Sequence, residues 1–304
     1  MMVHTSIRNY HREVMIMRGS KSIRLLLLTC YSAIIFPAGA HSYLSDKAVA
    51  TAPELTFATW NIMASRLNKT SSLAAAIPSL HSDIIALQEV DFNTQRSAKN
   101  AGESQPIDQA ALLAKAGNMH YAECKSIDFE GGQYGTALLS RWKIDKTEQI
   151  KLSSAEGKEQ RTACVNYITV PGMPAQLAVI ITHPDQDRDN TLRLAQVREL
   201  MALVDNTGKN AIPVLLGDLN LVPSSPEYRE LTYQMNDTLS PEGNFTYPAW
   251  NPNRRIDYVL TSTAQKWDVL QRNVPEADKP WNNINWGQLS DHLPLAIRLK
   301  LNHL

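Results

Sequence analysis

From Leu55 to Leu301 short apolar runs alternate with stretches whose apolar residues recur every three or four positions. The short runs read as strands: side chains alternate faces along an extended chain, so a strand covered on both faces needs apolar residues at nearly every position. Leu55–Ile62, Asp83–Glu89, Tyr134–Ser140, Thr162–Thr169, Gln176–Thr182, the run that starts at Ile212, Arg255–Ser262 and Leu293–Leu301 fit this pattern. The periodic stretches predict helices over Thr70–Leu80, despite Pro78, and over Asp108–Ala116, with Gly117 as its stop. Another spans Thr191–Val204, with Leu194, Val197, Met201 and Val204 on one face and Gly208 beyond it. Ser225-Pro226 opens a further helix, Ser as cap and Pro at the first position.

The strand runs end in a recurring way. Asn61, Glu89, His183, Asp218, Asp257 and Asp291 stand at strand ends. A buried strand has little reason to place Asp, Asn or His at its tip unless charge or hydrogen bonding is needed there. Asp218 and Asn220 are two apart, so in an extended chain they face one spot. Singly, each such residue is more often a turn former or a helix cap. Jointly, strand ends converging on one sheet edge would assemble one site from distant parts of the chain, which favours a single α-plus-β domain.

The N-terminus changes the charge balance. Arg18, Lys21 and Arg24 precede an uncharged stretch, Leu25–Phe36, and then Pro37-Ala-Gly-Ala40. A basic segment, an apolar segment and a small-residue cleavage site form the layout of a secretory signal peptide, and this apolar stretch is short of the roughly 20 residues a membrane span needs. The expected organisation is a cleaved signal at 1–40, a linker at 41–54 and a domain at 55–304, in a secreted or periplasmic protein. Met15 and Met17 are alternative starts. The whole chain has 30 basic and 30 acidic residues. Residues 1–40 hold five basic side chains and one acidic, so the mature chain carries 25 and 29, a formal net charge of −4. That lacks the basic excess of a general nucleic-acid grip. Cys124 and Cys164 remain after cleavage; a disulfide and two buried thiols both fit, and no Cys/His spacing suggests zinc.

Seven short motifs stand in order: Thr59-Trp-Asn61, Leu87-Gln-Glu89, Tyr134–Ser140, Thr182-His183, Gly217-Asp-Leu-Asn220, Arg255-Ile-Asp257-Tyr and Ser290-Asp-His292. In this order and spacing the chain resembles the endonuclease/exonuclease/phosphatase superfamily, over about Phe57–Leu301. The resemblance implies an α+β, DNase I-like four-layer α/β/β/α sandwich of two packed mixed β-sheets. It implies that Asn61, Glu89 and Asp291 hold Mg²⁺, with Mn²⁺ or Ca²⁺ as alternatives; hard oxygen ligands agree with that. It gives Asp218 and Asn220 the attacking water and a phosphate oxygen, His292 the scissile phosphate with Asp257 behind it, and His183 the leaving oxygen. Arg161 and Tyr134 are candidate phosphate contacts. Pro184 departs from the Leu usual after His183, and the loop Ala98–Ile107 is longer than expected.

The reading is a phosphoesterase acting as a monomer on a phosphodiester, of nucleic-acid or phospholipid type. A nuclease would need a Lys/Arg-lined groove, and a phospholipid enzyme exposed apolar residues, for which Trp250, Trp281 and Trp286 are candidates. A phosphomonoesterase would need a tight cationic pocket, hinted at by Arg254 and Arg255. The alternative from another class is a non-catalytic binding module on the same fold.

Overall fold

The computed structural model describes residues 52–239 and 243–303, all within one compact unit spanning His41–Leu304. The signal segment and most of the expected linker lie outside the described residues. In chain order the elements are β1 (Glu54–Asn61), α1 (Thr70–Ala76), β2 (Ile84–Phe92), α2 (Gln95–Ala101), α3 (Gln109–Gly117), β3 (His120–Phe129) and β4 (Gly132–Ser140). There follow β5 (Ile144–Lys151), β6 (Thr162–Ile168), β7 (Leu177–Thr182), α4 (Thr191–Gly208), β8 (Ile212–Asp218), α5 (Pro226–Leu231) and β9 (Met235–Asp237). The last three are β10 (Asp257–Ser262), β11 (Lys266–Asn273) and β12 (Leu295–His303).

Two six-stranded sheets form, in the orders β11-β12-β1-β2-β4-β3 and β5-β6-β7-β8-β10-β9. Each has one parallel pair, β1–β2 and β7–β8, joined across α1 and α4 respectively; the other pairs are antiparallel. Strand alternation sorts the apolar residues into three layers. Phe57, Leu138 and Ile297 of the first sheet meet Val179, Leu216 and Val259 of the second between the sheets. Trp60, Leu87 and Leu139 face outward under Leu73 of α1 and Leu113 of α3. Ile180, Leu215 and Leu260 face the other way, under Val197 and Leu200 of α4 and Leu231 of α5. This is the four-layer sandwich of two mixed sheets that the resemblance implies.

Four strands were not apparent from the apolar pattern: β3, β5, β9 and β11. All four lie at sheet edges. An edge strand covered on one face carries no continuous apolar run, as Ile144-Asp-Lys-Thr-Glu-Gln-Ile-Lys151 shows, and its charges also discourage edge-to-edge pairing. Helix ends shift too. Gly117 is the last residue of α3, and Asn118 (φ 51°) makes the left-handed turn. A Cβ on Gly117 would sit 2.9 Å from Ile77 Cγ2, so close packing accounts for the glycine. α4 runs on to Gly208, and its buried face is set by Val197, Leu200, Met201 and Val204 with Arg193 and Gln196, leaving Leu194 half-buried. Part of the expected long loop is α2, capped at its start by Thr94, whose side chain accepts from the Ser97 N–H.

A disulfide joins Cys124 of β3 to Cys164 of β6, fully buried, and so ties one sheet to the other. Closing a loop with a sequence separation of 40 restricts the unfolded chain. Replacing both cysteines by alanine should cost about 2–4 kcal/mol of stability, read as a lower urea midpoint. Reductant should reproduce the loss in the unmodified protein, and equal midpoints in both buffers would show that the cross-link contributes nothing.

Candidate active site

Both parallel pairs end at the same edge of the sandwich. β1 and β2 are in register through Asn61 and Gln88, and β7 and β8 through Thr182 and Gly217. The antiparallel strands β10 and β12 begin there, so Asp257 pairs with Asp218, and His292 precedes the strand whose Leu295 pairs with Thr59. Gly217 permits the closeness of β7 and β8: a Cβ there would lie 2.2 Å from the Thr182 carbonyl oxygen. His183 and Asp218, the residues that follow these two, are thereby brought together. Glu89 departs from expectation. β2 does not stop at it but continues to Phe92, with a bulge between Leu87 and Val90 and Glu89 at φ 55°. Bulges of this kind redirect a side chain, and here the carboxylate turns into the cleft.

Asp218 is the hub. Its Oδ2 accepts from Asn61 Nδ2 at 3.1 Å and lies 3.4 Å from His183 Nε2 and 3.5 Å from His292 Nε2. Its Oδ1 accepts from the Asn220 backbone N–H at 3.0 Å. Burial pushes this carboxyl up, but the two histidines and the Asn61 amide outweigh it and hold Asp218 well below the usual carboxylate range.

Each imidazole is oriented by a different partner. His292 Nδ1 is 2.9 Å from Asp257 Oδ2, inside a fully buried pair. Burial opposes charge on the ring, yet Asp257 and Asp218 on its two sides, with the Asp257 hydrogen bond, push His292 up to about 10. Asp257 itself is raised, by burial first and by Asp218, against the pull of His292. These two directions conflict over one proton. We assign it to the ring, because an imidazolium between two carboxylates is stabilised from both sides while a neutral pair gains from one. His183 is held otherwise: Arg161 Nη1 is 3.2 Å from its Nδ1. A guanidinium only donates, so Nδ1 accepts and the ring proton of a neutral His183 sits on Nε2, toward Asp218. Arg161, expected only as a phosphate contact, is therefore also the partner that orients His183.

Glu89 and Asp291 line one cleft of about 350 Å³, together with His183, Arg161 and Tyr134. Burial, and then Glu89, raise the Asp291 carboxyl against the opposing pull of His292. Glu89 thus disfavours charge on Asp291, a pairing that a cation would relieve, and oxygen donors suit Mg²⁺. Arg66 supplies part of that charge, 2.5 Å from Glu89. Asn61 turns its amide nitrogen to Glu89 and Asp218, while its Oδ1 accepts from the Met63 N–H. As oriented it bridges the carboxylates, and offering its oxygen to a metal requires the amide to turn over. Asp218, Asp257 and His292 also bring three ligand-type atoms within 4.8 Å of one another. That set contains an imidazole nitrogen, which suits Mg²⁺ less well.

The remaining candidates divide. Tyr134 is nearly buried in the cleft wall, and burial with Glu89 and Glu159 pushes its phenol well up, so it stays protonated. Asn220 (φ 53°) donates from its side chain to the Pro184 carbonyl at 3.1 Å, which fixes the backbone after His183. Arg255 is buried on Asp237 at 2.7 Å and Arg254 lies over Tyr247, so neither lines this cleft. Trp286 packs in the core against Trp60, Trp281 packs beside it, and Trp250 is exposed. Sequence reasoning missed Arg66, Arg96 and Tyr247. The Tyr247 ring lies 4.8 Å from His292, and no local pattern marks any of the three.

The profile of the Endonuclease/Exonuclease/phosphatase family matches residues 58–292. The chain belongs to that family. Members of this endonuclease/exonuclease/phosphatase family hydrolyse phosphoesters, and solved structures share the fold. An endonuclease/exonuclease/phosphatase from Beutenbergia cavernae is 22% identical, with a TM-score of 0.62 over 82% of this chain and 72% of that one. The human Nocturnin catalytic domain, solved with a bound sulfate, is 19% identical, with a TM-score of 0.61 over 82% and 94%. A Bacteroides thetaiotaomicron mannosyl-6-phosphatase is 17% identical, with a TM-score of 0.62 over 81% and 99%. At these identities the likeness shows the fold. No curated protein sequence matches the chain.

The Asp257–His292 pair has a testable sign. Its histidine is raised from 6.5 to about 10, so the stability it contributes is complete below about 6.5 and lost as pH rises through about 10. Asp257→Asn removes the main attraction and returns the ring toward 6.5. The alkaline limb of the pH–rate profile should shift to lower pH with a reduced maximum. An unshifted limb would remove Asp257 from this role.

Proposed function

We propose that this protein is an exported, Mg²⁺-dependent phosphodiesterase whose catalytic domain is residues 55–304, working as a monomer by direct attack of water on phosphorus. The observation that carries the reading is Asp218, a deeply buried carboxylate set between two imidazoles that are each oriented by a separate partner. Asp218 orients the attacking water and accepts its proton. His292, kept as imidazolium, donates to a non-bridging phosphate oxygen, where charge accumulates as water adds. His183 passes its Nε2 proton to the leaving oxygen and takes back on the same nitrogen the proton that Asp218 removed from water, so the ring ends neutral and Asp218 ionised. Two positioned histidines suit an unactivated alkoxide leaving group, which favours a diester. Bound at Glu89 and Asp291, and at Asn61 once its amide turns, Mg²⁺ would neutralise charge on the phosphoryl group. Arg161 also lines the cleft, where its cation faces the phosphate's negative charge.

The N-terminal signal layout and the inter-sheet disulfide both support an oxidising, extracytoplasmic location. One reading competes. A cleft of about 350 Å³ walled by Arg66, Arg96 and Arg161 favours a small phosphorylated molecule over a long polymer, and a mannosyl-6-phosphatase shares the fold. Hydrolysis of DNA, RNA, sphingomyelin and sugar phosphates, with Mg²⁺ and with EDTA, separates these substrates. No turnover of any ester under either condition would favour the binding-module reading.

Two substitutions test the chemistry. Glu89→Gln should nearly abolish turnover and raise the Mg²⁺ concentration needed for the remainder; wild-type activity at limiting Mg²⁺ would refute the metal assignment. His183→Ala should lose about 10²- to 10⁴-fold on an alkyl ester. With p-nitrophenolate as leaving group, which needs no proton, the loss should be much smaller. Equal losses on both esters would exclude His183 as the acid.

A further inference from the structure

The cleft has a wall that the hydrolysis of one phosphate does not use. Arg96, at the start of α2, donates through Nε and Nη2 to both oxygens of Asp91, at 2.9 and 2.8 Å. Asp91 is fully buried, and the guanidinium also lies 4.4 Å above the Phe129 ring and 5.0 Å from the centre of Tyr134. The fork is thus held on one edge and on one face. Nη1, on the opposite edge, has no protein partner among the described residues, and Arg96 lines the cleft with Tyr134 and Arg161. Most arginines lose considerable side-chain freedom when they bind an anion; this one is already immobilised. Tyr134, whose ring lies 5.0 Å from the Arg96 guanidinium, lines the same cleft as Arg96 and Arg161.

We infer that Arg96, with Tyr134, forms a second anion subsite, so that the substrate carries another phosphate next to the scissile one, as in a nucleotide or other polyphosphorylated small molecule. This rests on the phosphoester reading: the scissile phosphate occupies the His183–Asp218–His292 end, and the second group lies toward Arg96. A purely structural Arg96, fastening α2 to β2 through Asp91, would give the same fold but no preference for a second phosphate.

The test is calorimetric binding of inorganic phosphate and of pyrophosphate to the full chain in EDTA buffer, with thermal unfolding as the control for folding. Wild type should bind pyrophosphate at least about tenfold more tightly than phosphate, the gain expected of one further charge-assisted hydrogen-bond set. Arg96→Lys keeps a charge for Asp91 but loses the fork, and should remove most of that preference while leaving phosphate affinity within about twofold. If Arg96→Lys does not fold, Asp91→Leu/Arg96→Met removes the pair without leaving a buried lone carboxylate and makes the same prediction. Preference retained in the variant, or absent from wild type that still binds phosphate, overturns the subsite and leaves the phosphoester reading intact. Failure of wild type to bind either anion overturns the subsite, while the phosphoester reading falls only if no ester is turned over with Mg²⁺ present.

Discussion

A carboxylate as deeply buried as Asp218 is unfavourable unless its surroundings supply the charge and hydrogen bonds that water would have given. Asn61, the Asn220 backbone and two imidazoles supply them, each from a different strand end or following loop. That one requirement fixes much of the architecture. β1, β2, β7 and β8 must end at a common edge, and β10 and β12 must start there. The two sheets must also pack closely enough for Asn61, from the first, to touch Asp218, from the second. The core between the sheets is what holds those ends at hydrogen-bond distance.

The same buried charge decides the protonation of its neighbours. Around His292, desolvation and ion pairing act in opposite directions, and the second carboxylate settles the balance toward imidazolium. Around His183 the neighbour on the far nitrogen is a cation, Arg161, so that ring is held with its proton facing Asp218. Two histidines a short distance apart are thereby given unequal tasks by what stands behind each: a carboxylate behind one, a guanidinium behind the other. The asymmetry is a consequence of the shell behind the rings.

Much of this was legible in the sequence because central strands, covered on both faces, have to be apolar throughout, and a polar residue at their tip then stands out. Asn61, His183, Asp218, Asp257, Asp291 and His292 were all visible in that way, and the structure brings them to one edge. Edge strands were not legible, since β5 and β11 intersperse charge with apolar residues much as a loop does. Glu89 was found for a partly wrong reason: it marks a bulge inside β2, and nothing in Leu87-Gln-Glu89 announces a positive φ. Arg66 and Arg96 were invisible because an exposed arginine after a strand and one that seals a cleft look alike until tertiary contacts are known.

The site also carries terms that oppose folding. Glu89 disfavours charge on Asp291, Glu89 and Asn220 sit at positive φ without being glycine, and Arg161 buries an unpaired donor. Such features persist only where the surrounding structure overdetermines them. Here three apolar layers and a cross-link between the sheets do so, and the disulfide is placed between β3 and β6, the strands that lead toward Tyr134 and away from Arg161. The charged groups share a direction: the carboxylates would gain from a cation beside Glu89, and Arg161 from an anion beside it. On the function proposed above, a divalent cation and the phosphoryl group would answer both needs together, and binding would then relieve part of what opposes folding.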